Sequence, residues 1–143
     1  MKNNGYSFFL LLFSILCVSC DDEGQVDPLM CDQSVVISAS EYATAPRDAV
    51  TINSIALVAG CLQVNYSASG CDGSTWDTQL IDSGAVMESF PPQRNLILSI
   101  NNQEACDAVI TRQTSFNISE LQTEGSSVWL NIVNTEDTFL YEY

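Results

Sequence analysis

Along most of this chain, apolar side chains alternate with polar ones in short runs separated by turn residues. Leu62, Val64 and Tyr66 share one parity; so do Leu96, Leu98 and Ile100, then Val128, Leu130 and Ile132, then Phe139, Tyr141 and Tyr143. A period of two places each set on one face of a strand and the intervening residues on the other. Runs rich in Val, Ile, Thr, Tyr and Phe occupy residues 34–38, 49–59, 62–69, 75–82, 86–90, 95–101, 109–111, 116–118, 128–133 and 138–143. Many short strands punctuated by turn signals predict an all-β fold, a single immunoglobulin-like or related β-sandwich over residues 33–143, with the four parity sets as its core.

The breaks between runs are informative too. Pro91-Pro92 fits only a bend or an edge, because proline cannot donate to a ladder. Asp82-Ser83-Gly84 reads as a hairpin turn between the strand over 75–82 and the next. The segment Phe116-Asn117-Ile118-Ser119-Glu120-Leu121, followed by Glu124-Gly125, resembles the short crossover before a late strand in many immunoglobulin-like sandwiches. Trp76 shares parity with Leu80 and is expected in the core. Trp129 has the opposite parity to Val128, Leu130 and Ile132, so its indole is expected on the outer face. There it would stack on a sugar ring or anchor a protein contact, unless a loop, a tether or Ile97 covers it.

The amino end breaks the pattern. Lys2 precedes an apolar stretch over 8–18 that ends in small residues, the arrangement of a secretory signal. That stretch is about half of the roughly 20 residues a membrane span requires. Cys17-Val18-Ser19-Cys20 resembles the lipobox of bacterial lipoproteins, with Cys17 where that pattern usually has Leu. The resemblance implies cleavage after residue 19, acylation of Cys20, and palmitate-type lipid holding the chain to the membrane. An ordinary signal peptide cut nearby is the competing reading; position and acidic flank favour the lipoprotein. Cys20-Asp21-Asp22-Glu23-Gly24 is similar to the acidic flank that sends Bacteroidota-type lipoproteins to the outer face of the outer membrane. Three segments are thus expected: a lipoprotein signal peptide over 1–19, a lipidated acidic tether over 20–32 and the sandwich over 33–143.

Charge narrows the partners. Removing residues 1–19 from the 143 leaves 124, enough for one domain with its own core. Three arginines then face eighteen carboxylates, a formal charge of −15. Nucleic acid is excluded as a partner, since phosphate binding needs clustered basic residues. Arg47, Arg94 and Arg112 are expected in salt bridges that order loops.

Cysteine usage agrees with export. Cys31, Cys61, Cys71 and Cys106 predict two disulfides in an oxidising compartment. Spacings of 30, 10 and 35 residues, with no histidine in the chain, do not make a zinc site. A strand from Cys61 to Cys71 would hold them about 30 Å apart, too far to bond. If the strands over 75–82 and 95–101 run antiparallel, Cys71 lies near Cys106, leaving Cys31 for Cys61.

No catalytic centre is visible: without histidine or a lysine after the signal, neither a Ser-His-Asp nor a Ser-Lys arrangement can form. A carboxylate pair for glycoside hydrolysis would need a deep cleft that so short a chain has little room for. The densest local feature is Ser69-Gly70-Cys71-Asp72-Gly73-Ser74-Thr75-Trp76-Asp77. Asp72 and Asp77 are candidate Ca²⁺ or ligand-binding oxygens in it, although glycines beside a disulfide are also what a tight turn requires. The expected function is therefore a lipid-anchored, non-catalytic binding or accessory module without cofactor. The alternatives are a glycan-binding lipoprotein of a surface uptake system, with Trp129 and Tyr42 or Phe90 on one face, and an enzyme inhibitor or small enzyme.

Overall fold

The computed structural model describes residues 30–143 apart from residues 48 and 136. The signal peptide, Cys20 and the tether up to residue 29 lie outside the described residues. Strands β1 (Gln33–Ser34) and β2 (Val36–Ile37) lead into a short helix, α1 (Ala39–Thr44). Seven longer strands follow: β3 (Thr51–Val58), β4 (Cys61–Gly70), β5 (Asp77–Met87), β6 (Gln93–Asn101), β7 (Ala108–Asn117), β8 (Ser127–Ile132) and β9 (Asp137–Glu142). A 3-10 turn over Ser119–Leu121 links β7 to β8. They form two packed sheets, β1-β7-β4-β3 and β2-β5-β6-β8-β9, so the chain is the expected all-β sandwich.

Alternation places the core as expected. Leu62, Val64 and Tyr66 face Leu96, Leu98, Ile100, Val128, Leu130, Ile132 and Tyr141 in one buried cluster completed by Phe116, Ile118 and Leu121. Burying each large aliphatic side chain contributes about 1.5–3 kcal/mol before entropy is counted. On β9 burial is weaker: Phe139 packs half-buried against the cluster, and Tyr143, just past the strand, is exposed. The two tyrosines there still hold the crossover, Tyr141 Oη accepting from Gln122 Nε2 at 3.1 Å and Tyr143 Oη from the Thr123 amide at 2.9 Å.

The crossing of the first strand follows from one residue. Val35 is buried between β1 and β2 and its amide donates to the Asn117 carbonyl, while Ser38 N–H donates to the Asp82 carbonyl. The chain therefore passes from the edge of one sheet to the edge of the other, pairing parallel with β7 and then with β5. Cys31 and Asp32, at the end of the expected tether, are already fastened to the sandwich. Cys31 is bonded to Cys61 with a Cα separation of 5.6 Å, and Asp32 accepts from the Ser115 amide and hydroxyl at 2.8 Å each.

Three expectations about elements need correction. Asp82-Ser83-Gly84 is not a hairpin turn: β5 runs through it and pairs with β6 on both sides, Asp82 opposite Leu96 and Val86 opposite Arg94. Asp82 Oδ1 accepts the Gly84 amide at 2.7 Å, and Gly84 takes the positive φ of 75° that the bulge requires. The chain turns instead at the Pro91-Pro92 bend, through a cis Phe90-Pro91 bond. The run over 109–111 and the first two residues of that over 116–118 belong to one strand, β7, whose polar middle pairs with β4 throughout, and Ile118 opens the 3-10 turn. Residues 39–44, which carry no strand pattern, form α1; Ser38 Oγ accepts the Glu41 amide at 3.3 Å and caps it.

Beneath α1, Ile81 and Ile97 oppose each other on the outer face of the five-stranded sheet and are still buried. α1 packs on β5, and Ala45 and Pro46 continue along the same face. Asn134 fixes that cover by donating to the Arg47 carbonyl at 3.0 Å while accepting the Leu98 amide at 2.8 Å.

The ion pair between Arg94 and Asp82 is buried, with Nη2 2.7 Å from Oδ1 and Nε 3.0 Å from Oδ2. Arg94→Met leaves a carboxylate stranded there and is expected to cost about 3–5 kcal/mol in urea unfolding. A loss under about 1 kcal/mol would contradict this role.

Candidate functional site

The loop that joins β4 to β5 is organised around Glu104. Its Oε2 accepts the amides of Cys71 at 2.6 Å, Asp72 at 3.2 Å and Gly73 at 3.0 Å, while Oε1 accepts the Thr75 hydroxyl at 2.9 Å. The disulfide between Cys71 and Cys106, with a Cα separation of 4.8 Å, brings the two segments together as expected. Successive amides converging on one point make an anion cradle, and a side chain of the same protein fills it. Gly70 is required for this approach: a Cβ there would lie 2.8 Å from the Trp76 ring as well as against the Glu104 carboxylate.

The two candidate metal oxygens do not stand together. Asp72 Oδ1 accepts the Ser74 amide at 2.8 Å, and the hydrogen bonds to Ser74 hold its carboxyl below the ordinary value. Asp77 lines a separate cleft of about 410 Å³ beside Glu41, Gln79 and Asn101, under the end of α1. No group of three potential metal-ligating side chains occurs among the described residues. The amides of the loop are bonded internally, to the carboxylates of Glu104 and Asp72. Trp76 packs against the core as expected, 6.2 Å from the Tyr66 ring, with its indole N–H buried and unpartnered.

The arginines depart from expectation. Among the described residues one ion pair forms, between Arg94 and Asp82, and it lies on strands within the sandwich instead of ordering a loop. Arg47 donates to the Tyr42 carbonyl and lies over its ring, 5.3 Å from the centroid. Tyr42 thus stays on α1, which packs on β5, two strands from the β8 that carries Trp129. Arg112 reaches Gly73, where a Cβ would stand 3.0 Å from its Nε. Among the described residues, Arg47 is thus met by a backbone carbonyl and an aromatic ring.

Trp129 faces outward, as its parity requires, and is half-buried outside the core cluster. Register puts it between Gln93 on β6 and Leu140 on β9, with Asn131 one step along between Asn95 and Thr138. Gln93, Trp129, Asn131 and Thr138 line a shallow depression of about 320 Å³. Asn131 Nδ2 donates to Gln93 Oε1 at 3.2 Å and Asn95 Oδ1 at 3.1 Å, and its Oδ1 accepts the Thr138 hydroxyl at 3.1 Å. Gln93 Nε2 in turn donates to Ser89 Oγ at 3.1 Å.

Apolar residues neighbour these in register, Leu140 opposite Trp129 and Met87 opposite Gln93. Leu140 and Met87 are each 38% exposed, and Phe90 is fully exposed. Phe90 stands two residues before Pro92, whose carbonyl accepts the Trp129 amide at 2.8 Å. Sequence reasoning singled out Trp129 but missed Gln93, Asn131 and Thr138, which the alternation on β6, β8 and β9 places on the same face. It also missed Glu104, whose only signal is its place two residues before Cys106.

Comparison with known proteins adds the fold. No protein-family model matches the chain, and no curated protein matches it. Among solved structures it is similar to a DUF1344 protein of unknown function from Bacteroides vulgatus, with a TM-score of 0.53 and 15% identity over 78% of this chain and 56% of that one. It is also similar to a toxin-related protein from Parabacteroides distasonis, with a TM-score of 0.52 and 18% identity over 78% of this chain and 59% of that one. The chain spans less than two thirds of either structure. At these identities the likeness is one of fold.

Partial burial opposes ionisation of Glu104, but the amides of Gly73 and Cys71, the Thr75 hydroxyl and the Asp72 amide outweigh it and bring the carboxyl from 4.5 down to about 2. The ionised form therefore stabilises the fold above about pH 4.5, and this contribution disappears as pH falls through about 2. Glu104→Gln is expected to melt lower than the parent at pH 7, with the difference narrowing from pH 4.5 to pH 2. A difference unchanged across that window would contradict the cradle.

Proposed function

We propose that this chain is an exported lipoprotein, acylated at Cys20 and held at the outer membrane, probing its surroundings as a non-catalytic binding module through the face that carries Trp129. The observation that carries this reading is the position of Trp129: a large aromatic on the outer face of β8, between Gln93 and Leu140 and left outside the core. Buried aromatic anchors with polar rims are the usual energetic centre of recognition surfaces. The half of the same sheet that carries Ile81 and Ile97 is covered by α1 and the residues after it, whereas the Trp129 half has no such cover among the described residues.

The amino-terminal residues support the anchor. Two acyl chains on Cys20, at about 0.8 kcal/mol per buried methylene, hold a domain at a bilayer without any apolar patch of its own. The sandwich is then free to use its exposed aromatic and aliphatic side chains for a ligand. An acidic flank after the cysteine and a strongly negative domain suit surface display, where solubility matters and anionic lipid is not the partner. No helix among the described residues is long and apolar enough to cross a membrane.

Cys20→Ala, expressed in the cells that make the protein, is expected to move it from the membrane fraction to the soluble fraction. The parent is expected to take up labelled palmitate and the variant is not. Membrane retention of the variant would contradict lipid anchoring.

A further inference from the structure

We infer that the ligand of the Trp129 face is a neutral saccharide, one sugar ring stacked on the indole and its hydroxyls bonded to Gln93 and Thr138. This rests on the reading of that face as the recognition surface and names its chemistry.

Charge makes the first part of the case. The chain has eighteen carboxylates, yet none of the four side chains lining the depression is charged. Among the described residues, the carboxylate in register on this face is Glu142, opposite Ser127 and two residues along β9 from Leu140. A cationic ligand would be met by a carboxylate, and an anionic one would be repelled by a chain of formal charge −14. What remains is a neutral ligand.

Hydrogen-bonding capacity makes the second part. Asn131 has both amide hydrogens and one of its two carbonyl lone pairs taken up, by Gln93, Asn95 and Thr138. Its role is to hold the others in place. Gln93 spends one hydrogen on Ser89 Oγ and one lone pair on Asn131, so one N–H and one lone pair are left over. Thr138 gives its proton to Asn131 and keeps acceptor capacity. A donor and acceptors fixed beside an aromatic ring match vicinal hydroxyls on an apolar ring face.

Shape agrees with both. The depression is shallow and runs across β6, β8 and β9, so a ligand lies along a flat sheet instead of entering a cavity. Fixed hydrogen bonds inside the protein mean that little ordering is left for the ligand to bring about.

The test is affinity electrophoresis of the full lipidated protein in detergent, through gels containing dextran, mannan, galactomannan or anionic polygalacturonate. At least one neutral polymer is expected to retard the parent, with polygalacturonate having no effect. Trp129→Ala is expected to lose at least tenfold in apparent affinity, Trp129→Phe to keep part of it and Gln93→Ala to weaken it several-fold, all with urea midpoints close to the parent's. In parallel, a photo-crosslinking amino acid replaces Leu140 in living cells. No retardation by any neutral polymer, together with a discrete protein adduct at Leu140, would overturn the saccharide and leave the recognition face standing. Absence of both would overturn the face as well. Retardation undiminished in Trp129→Ala would overturn both, and retardation by polygalacturonate alone would overturn the neutral class.

Discussion

The ion pair of Asp82 and Arg94 is the constraint on which the five-stranded sheet is arranged. Asp82 is fully buried and Arg94 nearly so, a placement that costs several kcal/mol of lost hydration and is offset only by good geometry. The geometry is good: two parallel hydrogen bonds from the guanidinium, and the Gly84 amide on the same carboxylate. That third bond makes the bulge, and the bulge lets β5 continue where a turn would otherwise end it. The backbone carbonyl of Asp82 then receives Ser38, so the start of α1 is seated from the same residue. Arg94 points inward between Gln93 and Asn95, and alternation sends those two amides to the outer face.

The remaining connections are held at their ends. Cys31 ties the incoming chain to the start of β4, and Cys71 ties the end of β4 to the segment before β7. Each closed loop contributes about 2–4 kcal/mol by restricting the unfolded chain. Glu104 finishes the second closure by filling the amides that the loop leaves unpaired. Asn134 does a similar task for the residues after α1. Backbone groups in loops must find partners, and here side chains distant in sequence supply them. On the outer face of β6, β8 and β9, hydrogen bonds through Asn131 link Gln93 and Thr138 beside Trp129.

Much of this was legible in the sequence because it follows from a period of two. The inward sets on β4, β6 and β8, the outward Trp129 and both disulfide pairings come from strand parity and the separation of cysteines along strands. The bulge was not legible because Asp-x-Gly supplies the same local chemistry to a turn and to a bulge; what decides between them is Arg94, twelve residues away. α1 escaped notice because none of its residues is buried, so no helical periodicity of apolar positions marks it. Glu104 sits among Asn102, Gln103 and Ala105 with nothing to distinguish it. Its meaning appears only when the disulfide folds residues 71–75 against it. The polar half of the Trp129 face was in principle readable once three strands had been put side by side, but their order includes a parallel pairing of β6 with β8 that alternation alone does not reveal.

The most direct test of a preorganised Trp129 face is residue-resolved amide hydrogen exchange on the lipidated protein. The amides of Trp129 and Val133 donate to the carbonyls of Pro92 and Leu96 across the β6–β8 junction. They are expected to exchange as slowly as amides in the centre of β4, whose opening requires unfolding of the sandwich. Exchange of Trp129 and Val133 as fast as exposed loop amides would contradict the account, because Gln93, Trp129 and Asn131 would then have no fixed arrangement to offer a ligand.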